Sequence, residues 1–179
     1  MSLIILDRDG VINHDSDDFI KSPAEWKPIE GSLEAIARLN YAGYRVIVIT
    51  NQSGITRGIL DIETLNHIHS KMRRMLAQVG GKIEAILFCP HGPEDECLCR
   101  KPQDGSFSEL AHRLRITLKG VPAIGDSIRD ILAAQAAGAT PILVRTGKGE
   151  KVLAKGIPEG VAVYDDLAAV VDALLDPTI

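Results

Sequence analysis

Two carboxylates stand two residues apart near the start of the chain, in the segment Asp7-Arg8-Asp9-Gly10. They follow a short apolar run that is typical of a strand, and Gly10 permits a sharp turn of the backbone after them. Both carboxyl groups are able to face one pocket, although the alternation of side chains need not hold strictly beyond a strand end. A solvated turn uses the same residue types, but the pair is a candidate site for carboxylate chemistry.

Positive charge must accompany these carboxylates if the substrate is a phosphate ester, because a phosphate dianion repels an ionised aspartate. Asp126 is a third acidic candidate, and it follows another predicted strand. One Mg²⁺ ion together with Lys101 and Arg100 would balance the charge of the dianion, Asp7 and Asp126. Carboxylate and carbonyl oxygens are the ligands that Mg²⁺ prefers. This set of residues therefore favours magnesium-assisted phosphoryl transfer.

All three cysteines of the chain lie within eleven residues, with one histidine among them: Cys89, His91, Cys97 and Cys99. An odd number of closely spaced cysteines is untypical of a disulfide framework and more typical of a metal site. Four soft ligands at this spacing fit a closed, tetrahedral Zn²⁺ site. We therefore expect a structural zinc loop over residues 89–99 that holds the following Arg100-Lys101 pair in place.

Short β-rich runs alternate with amphipathic stretches along the chain, which predicts an open, mostly parallel sheet with helices on both faces. The predicted strands are Leu3–Leu6, Tyr44–Ile49, Ile83–Phe88, Val121–Ile124, Pro141–Val144 and Val161–Val163. Helices are predicted from Gly31-Ser32 onward and over Ile62–Val79, Ser108–Leu114, Ile128–Ala137 and Leu167–Leu175, with a turn at Gly147-Lys148-Gly149. No linker or repeat interrupts this pattern. We expect a single domain over 1–179, with a flap at about 13–26 and no separate cap domain.

The polar candidates fall just beyond the carboxyl ends of predicted strands. Asp7 and Asp9 follow the first strand, Thr50 and Asn51 the second, and Asp126 the fourth. Ligands of open α/β sheets bind at this edge. The sequence therefore predicts that these side chains meet in one site.

The overall composition restricts the partners of the protein. Its 179 residues are 45% hydrophobic and 25% charged, with a net charge of −4 and a pI near 5.7. An acidic chain lacks the basic surface that nucleic acids and anionic membranes require. No apolar run approaches the roughly 20 residues of a membrane span, and the N-terminus does not resemble a signal peptide. We expect a cytoplasmic, monomeric protein whose partner is a small molecule.

Four motifs occur in the order that identifies the haloacid dehalogenase superfamily of phosphohydrolases, which the whole chain resembles. They are Asp7-x-Asp9-Gly10-Val11, Thr50 after an apolar strand, Lys101, and Gly125-Asp126-Ser127-Ile128-Arg129-Asp130. The resemblance implies that Asp7 is the nucleophile and Asp9 the general acid and base, whose pKa the pocket must raise. It also implies that Thr50, Asn51 and Lys101 contact the phosphoryl group. The implied Mg²⁺ ligands are Asp7, Asp126 and the main-chain carbonyl of Asp9, with Asp130 as an orienting residue.

Within that superfamily the chain most resembles the heptose bisphosphate phosphatases. The segments that carry this resemblance are Asp7–Asn13, Thr50–Gly58, Cys89–His91, Cys97–Pro102 and Val144–Gly147. It implies removal of the C7 phosphate of D-glycero-D-manno-heptose 1,7-bisphosphate, a precursor of the lipopolysaccharide core. We expect the second phosphate to lie near the rim of the open site, where Arg100 is the best-placed cation to bind it. One departure is Ser127, where some members carry lysine.

Two other functions stay open at this point. Histidinol-phosphate phosphatases share the zinc loop, although Ser53–Gly58 and Val144–Gly147 favour the heptose enzymes. A receiver-like phosphoacceptor would signal without turnover, but it would not need a carboxylate such as Asp9 two residues from the acceptor. The roles of Arg57, His14 and Lys148 are not determined by the sequence.

Overall fold

The computed structural model describes residues 2–176, so residue 1 and residues 177–179 of the expected 1–179 domain lie outside the described residues. The strands are β1 (Ser2–Leu6), β2 (Tyr44–Asn51), β3 (Ala85–Cys89), β4 (Pro122–Gly125), β5 (Thr140–Val144) and β6 (Ala162–Tyr164). The α-helices are α1 (Ser32–Tyr41), α2 (Ile62–Gln78), α3 (Gly105–Leu114), α4 (Ile128–Ala136), α5 (Gly149–Lys155) and α6 (Leu167–Leu175), and a 3₁₀ turn covers Pro23–Glu25.

The six strands form one sheet in the order β3-β2-β1-β4-β5-β6, and every neighbouring pair is parallel. Side chains of successive residues in β1 point to opposite faces, which divides the core into two layers. Ile4 and Leu6 pack with α1, α2 and α6, whereas Leu3 and Ile5 pack with α3 and α4. The predicted parallel sheet with helices on both faces is therefore confirmed.

The strand order reverses between β1 and β4, and this reversal opens a crevice at the carboxyl edge of the sheet. Asp7 follows β1 directly, and Asp126 follows β4. Helix α4 then begins with a capping box, in which Ser127 and Asp130 each bond the backbone of the other. The cap fixes the turn that carries Asp126 into the crevice.

Three local predictions differ from the structure. Strand β3 lies two residues later at its start than predicted and includes Cys89, whose carbonyl accepts a hydrogen bond from the Gln52 N–H at 2.7 Å. Helix α3 begins at Gly105 instead of Ser108. The predicted turn at 147–149 is followed at once by the unpredicted helix α5, which begins at Gly149.

The expected flap leaves the sheet after β1 and has a packed base. Ile20 and Trp26 are buried in the same core layer as α1 and α2, while Asp17 and Asp18 are exposed. Asn13 bridges to Pro28 in antiparallel fashion, which closes the base of the segment. Within residues 2–176, no helix has the length and apolar character that crossing a membrane requires.

Candidate active site

Three carboxylates converge in the crevice between β1 and β4. Oxygens of Asp7, Asp126 and Asp130 all lie within 4.8 Å of one another. Two glycines permit this approach: a Cβ on Gly10 would meet Asp126 Oδ2 at 2.0 Å, and one on Gly147 would meet the same oxygen at 2.1 Å. Both glycines have positive φ angles, of 83° and 58°. Side chains at these positions would displace Asp126 from the cluster.

Lys101 inserts its ammonium group into this acidic cluster. Its Nζ lies 3.1 Å from Asp7 Oδ1 and 2.6 Å from Asp130 Oδ1, and it donates a hydrogen bond to the Ile49 carbonyl at 2.9 Å. The side chain is only 3% exposed. Asn51 holds the backbone of Lys101 from the end of β2, because its amide donates to the Lys101 carbonyl and accepts from the Lys101 N–H.

The cluster lacks enough positive charge for all its carboxylates to ionise. Burial and the negative charge of Asp130 raise the pKa of Asp7 to about 7 and the pKa of Asp126 to about 8. Burial also acts on Asp130, but the ion pair with Lys101 outweighs it and lowers that pKa. The same pairing outweighs burial for Lys101 and raises its pKa. Asp7 and Asp126 therefore form a site that a divalent cation would complete.

Asp9 lies beside this cluster with its carboxylate held by several donors. Its Oδ1 accepts from Arg8 Nε at 2.9 Å, from Arg8 Nη2 at 2.7 Å and from Asn13 Nδ2 at 2.9 Å. Its Oδ2 accepts from Gln52 Nε2 at 3.0 Å. Burial favours a higher pKa, but the charge of Arg8 and these hydrogen bonds prevail and lower it. The expectation that the pocket raises the pKa of Asp9 is therefore wrong for this arrangement.

Thr50 and Asn51 occupy different parts of the site. Thr50 is buried at the end of β2, and its Oγ1 accepts a hydrogen bond from Gln52 Nε2 at 3.0 Å. Gln52 thus joins Thr50 to Asp9. Gln52 lies within the segment Thr50–Gly58, but the sequence alone did not predict this link. Asn51 also lines the cavity above the site, and the hydrogen bonds of its side-chain amide are to the Lys101 backbone, which it holds in place.

A cavity of about 280 Å³ opens above these residues, and three arginines line it: Arg57, Arg100 and Arg129. Among the described residues, none of the three forms an ion pair with a carboxylate. Arg57 stacks over the Phe19 ring at 5.8 Å, and Arg100 Nη1 donates to the His91 carbonyl at 3.1 Å. Burial and the charge of Arg129 lower the pKa of Arg100. Unpaired cations this close repel one another unless an anion joins them.

Lys148 and His14, two residues whose roles the sequence left open, differ in their positions. Lys148 lines the cavity, where its Nζ lies 3.4 Å from Asp15 Oδ2 and its backbone N–H bonds Asp126 Oδ2 at 2.8 Å. His14 is exposed and does not line the cavity. The turn before α5 therefore supports the acidic cluster directly.

The four predicted zinc ligands also come together. Their ligand atoms lie within 4.8 Å of one another, with 3.5 Å from Cys89 Sγ to His91 Nδ1, 3.6 Å to Cys97 Sγ, and 3.3 Å from His91 Nδ1 to Cys99 Sγ. Tetrahedral Zn²⁺ bonds imply roughly 3.5–3.8 Å between ligand atoms. The nearest sulfurs, of Cys89 and Cys99, are 2.8 Å apart, too far for a disulfide. The donor set fits a closed zinc site, and its spacings are near this range except for the shorter distance from Cys89 to Cys99.

Two family models match the chain. The haloacid dehalogenase-like hydrolase model matches residues 4–78, and a second model of the same kind of hydrolase matches residues 98–170. The first contains the Asp7 motif and Thr50, and the second contains Lys101 and the Asp126 motif.

Relatives that match nearly the whole chain show to which enzymes within this superfamily the chain is similar. The chain is 58% identical to D-glycero-β-D-manno-heptose-1,7-bisphosphate 7-phosphatase of Bordetella bronchiseptica, with 98% of each chain covered, and 52% identical to that of Pseudomonas aeruginosa, with 97% and 98% covered.

Two solved structures that resemble this chain are also of heptose bisphosphate phosphatases. The B. bronchiseptica D,D-heptose 1,7-bisphosphate phosphatase, complexed with magnesium and phosphate, superposes with a TM-score of 0.97 at 57% identity, covering 99% of this chain and 100% of that one. The Burkholderia thailandensis enzyme gives 0.79 at 48% identity, with 98% and 99% covered. The chain therefore belongs to the heptose 1,7-bisphosphate 7-phosphatase family of haloacid dehalogenase-like hydrolases.

Proposed function

We propose that the protein hydrolyses the C7 phosphate of D-glycero-D-manno-heptose 1,7-bisphosphate through a phosphorylated aspartate. The observation that carries the proposal is the meeting of Asp7, Asp9 and Lys101 beneath an arginine-lined cavity. Relatives named for this reaction, at 51–58% identity over nearly the whole chain, support the same substrate. An enzyme of this kind would supply the heptose precursor of the lipopolysaccharide core.

Asp7 is the nucleophile of the proposed reaction. Its Oδ1 is fixed by the Arg8 N–H at 2.7 Å and by Lys101, and no described donor bonds Oδ2. The carboxylate attacks the phosphorus, and the bond from phosphorus to the sugar oxygen breaks. Thr50 hydrogen-bonds the phosphoryl oxygens and Lys101 neutralises them, and both contacts matter because the charge on these oxygens rises in the transition state.

Asp9 is the general acid and base of the proposed reaction. Its acid form gives a proton to the departing sugar oxygen, and its carboxylate then takes a proton from the water that attacks the aspartyl-phosphate. The second attack breaks the bond from phosphorus to Asp7 and releases phosphate. Arg8 lowers the pKa of Asp9, so the acid form depends on the substrate. A bound phosphate dianion raises the pKa of a neighbouring carboxyl group and thus opposes Arg8.

The acidic cluster suits Mg²⁺. Asp130 is paired with Lys101, which leaves Asp7 and Asp126, whose pKa values are raised, together with the main-chain carbonyl of Asp9, as the residues that would hold the ion. When bound, Mg²⁺ supplies the positive charge that offsets the carboxylates and the phosphoryl oxygens. We further propose that Cys89, His91, Cys97 and Cys99 hold a structural Zn²⁺ that keeps the Arg100-Lys101 segment in place.

Arg100 is the proposed ligand of the second phosphate of the sugar. It directly follows Cys99, the last proposed zinc ligand, and directly precedes Lys101, so the same loop carries a cation for each phosphate. A charge-assisted contact of this type contributes about 1.5–3 kcal/mol, roughly one to two orders of magnitude in affinity. Histidinol phosphate has an imidazole and an amine at its other end and cannot make the contact.

Side-by-side phosphate-release assays test the proposal. We expect a higher catalytic efficiency on heptose 1,7-bisphosphate than on histidinol phosphate. Arg100→Ala should lower efficiency more on the bisphosphate than on the matching heptose 7-phosphate, while Arg38→Ala, whose arginine pairs with Asp172 at the surface, should affect neither. Equal or better turnover of histidinol phosphate would refute the heptose assignment and favour a histidinol-phosphate phosphatase. The absence of turnover on any phosphate ester would favour a receiver-like phosphoacceptor.

A further inference from the structure

A buried arginine connects the active site to helix α2. The Arg8 side chain is 0% exposed, although it carries a full charge and precedes Asp9 in the chain. Its Nε and Nη2 both donate to Asp9 Oδ1, and its Nη1 lies 3.1 Å from Nε2 of His69. His69 is itself buried, at 7% exposure. The guanidinium thus bonds Asp9 with one edge and the imidazole with its remaining nitrogen.

The Arg8–His69 contact determines the state of the histidine. A guanidinium has only donors, so His69 Nε2 must accept the hydrogen bond and the ring proton must lie on Nδ1. Burial and the adjacent charge of Arg8 lower the pKa of His69 to about 3, in keeping with a neutral ring. His69 therefore serves Arg8 as a fixed hydrogen-bond acceptor.

The orientation of Arg8 in turn determines which oxygen of Asp9 is free. Oδ1 accepts three N–H groups, two from Arg8 and one from Asn13, whereas Oδ2 accepts one from Gln52. An oxygen with three donors has no room for a proton. Oδ2 is consequently the oxygen that can carry the proton for the leaving group.

We propose that His69 is a positioning residue, which acts through Arg8 to hold the Asp9 carboxylate with Oδ2 available for proton transfer. The inference rests on the proposed phosphoester hydrolysis. An apolar residue at position 69 would fill the same part of the core without burying two polar groups, so packing alone does not account for the pair. Removing the acceptor would let the guanidinium rotate, and Asp9 would turn with it.

Two substrates with different leaving groups distinguish a positioning role of His69 from a purely structural one. Departure of a sugar alkoxide needs a proton from Asp9, whereas p-nitrophenolate leaves without one. The quantity kcat/KM covers the steps up to release of the leaving group. A defect in the orientation of Asp9 should therefore lower kcat/KM for heptose bisphosphate and leave kcat/KM for p-nitrophenyl phosphate nearly unchanged.

The experiment compares His69→Leu, His69→Gln and the control His67→Leu on both substrates. We expect His69→Leu to lower kcat/KM for heptose bisphosphate roughly 10–100-fold, as misplacement of a catalytic group by about 1 Å does, and for p-nitrophenyl phosphate by less than about threefold. His69→Gln retains an acceptor and should recover most of the loss. His67 is exposed on the same helix, and its variant should match the wild type.

The outcomes distinguish the inference from the proposed function. Equal losses on both substrates, no loss in His69→Leu, or failure of His69→Gln to recover activity would overturn the positioning role. If His69→Leu does not fold, the same ratio measured on His69→Met, which offers only a weak acceptor, decides the question. Absence of heptose bisphosphate turnover in the wild type would instead contradict the proposed function, and the ratio would then be measured with another alkyl phosphate.

Discussion

Removal of magnesium should make the stability of the protein fall as the pH rises. Asp7 and Asp126 have pKa values of about 7 and about 8 in the folded chain, compared with 3.8 for an ordinary aspartate. A carboxyl group whose folded pKa is raised contributes stability that is fully present below its unfolded pKa and is lost as the pH passes its folded pKa. The window of loss therefore runs from about pH 4 to about pH 8.

The size of the effect follows from these values. Between about pH 6.5 and 8.5, linkage gives a loss of about 1 kcal/mol from Asp7 and about 2 kcal/mol from Asp126. A chain of this length loses about 2–4 °C in Tm per kcal/mol, so the magnesium-free Tm should fall by roughly 6–12 °C. His69, whose lowered pKa is about 3, does not interfere, because it costs stability only below about pH 6.5, where its unfolded form gains a proton.

Thermal unfolding at the two pH values, with and without saturating Mg²⁺, measures the effect. Bound Mg²⁺ keeps both carboxylates ionised and neutralised, so it should raise Tm more at the higher pH. Asp126→Asn should abolish most of the pH dependence together with the magnesium effect, whereas Asp172→Asn, at an exposed carboxylate, should change neither. A magnesium-free Tm that is constant or rises over this interval would refute the interpretation of the acidic cluster.

Three substitutions probe separate parts of the site. Asp7→Asn should abolish turnover while circular dichroism shows an intact fold, because an amide cannot form the acyl-phosphate; phosphate release above background by the purified variant would contradict the nucleophile assignment. Cys97→Ser should lower the zinc content from about one ion per chain, measured by elemental analysis, and reduce stability and activity together. Gly10→Ala should cost about 1–2 kcal/mol of backbone strain and also weaken Mg²⁺ binding, since its Cβ meets Asp126 Oδ2; Gly43→Ala, at a similar φ of 88° with open space, should show the strain alone in denaturation and metal titrations.

The fold was predictable because its signals are local and repeated. Each strand is a short apolar run followed by polar residues, and the parallel arrangement follows from the alternation of strands with helices. The same reasoning brought Asp7, Thr50 and Asp126 to one edge. Helix α5 escaped prediction because it has only seven residues and begins within Gly147-Lys148-Gly149, where two glycines favour a turn.

The environment of Asp9 was not predictable, and the reason lies in the side chain of Arg8. In a strand, residues 7 and 9 would share one face and residue 8 the other, so sequence reasoning gives Arg8 no contact with its neighbour. The chain leaves the strand at Asp7, and Arg8 folds back to bond Asp9. His67 and His69 likewise present no pattern in the sequence, since only the packing of α2 decides which of them meets Arg8. The pKa of a catalytic carboxylate depends on such contacts between distant elements, and they are set by tertiary packing instead of by the motif that identifies the carboxylate.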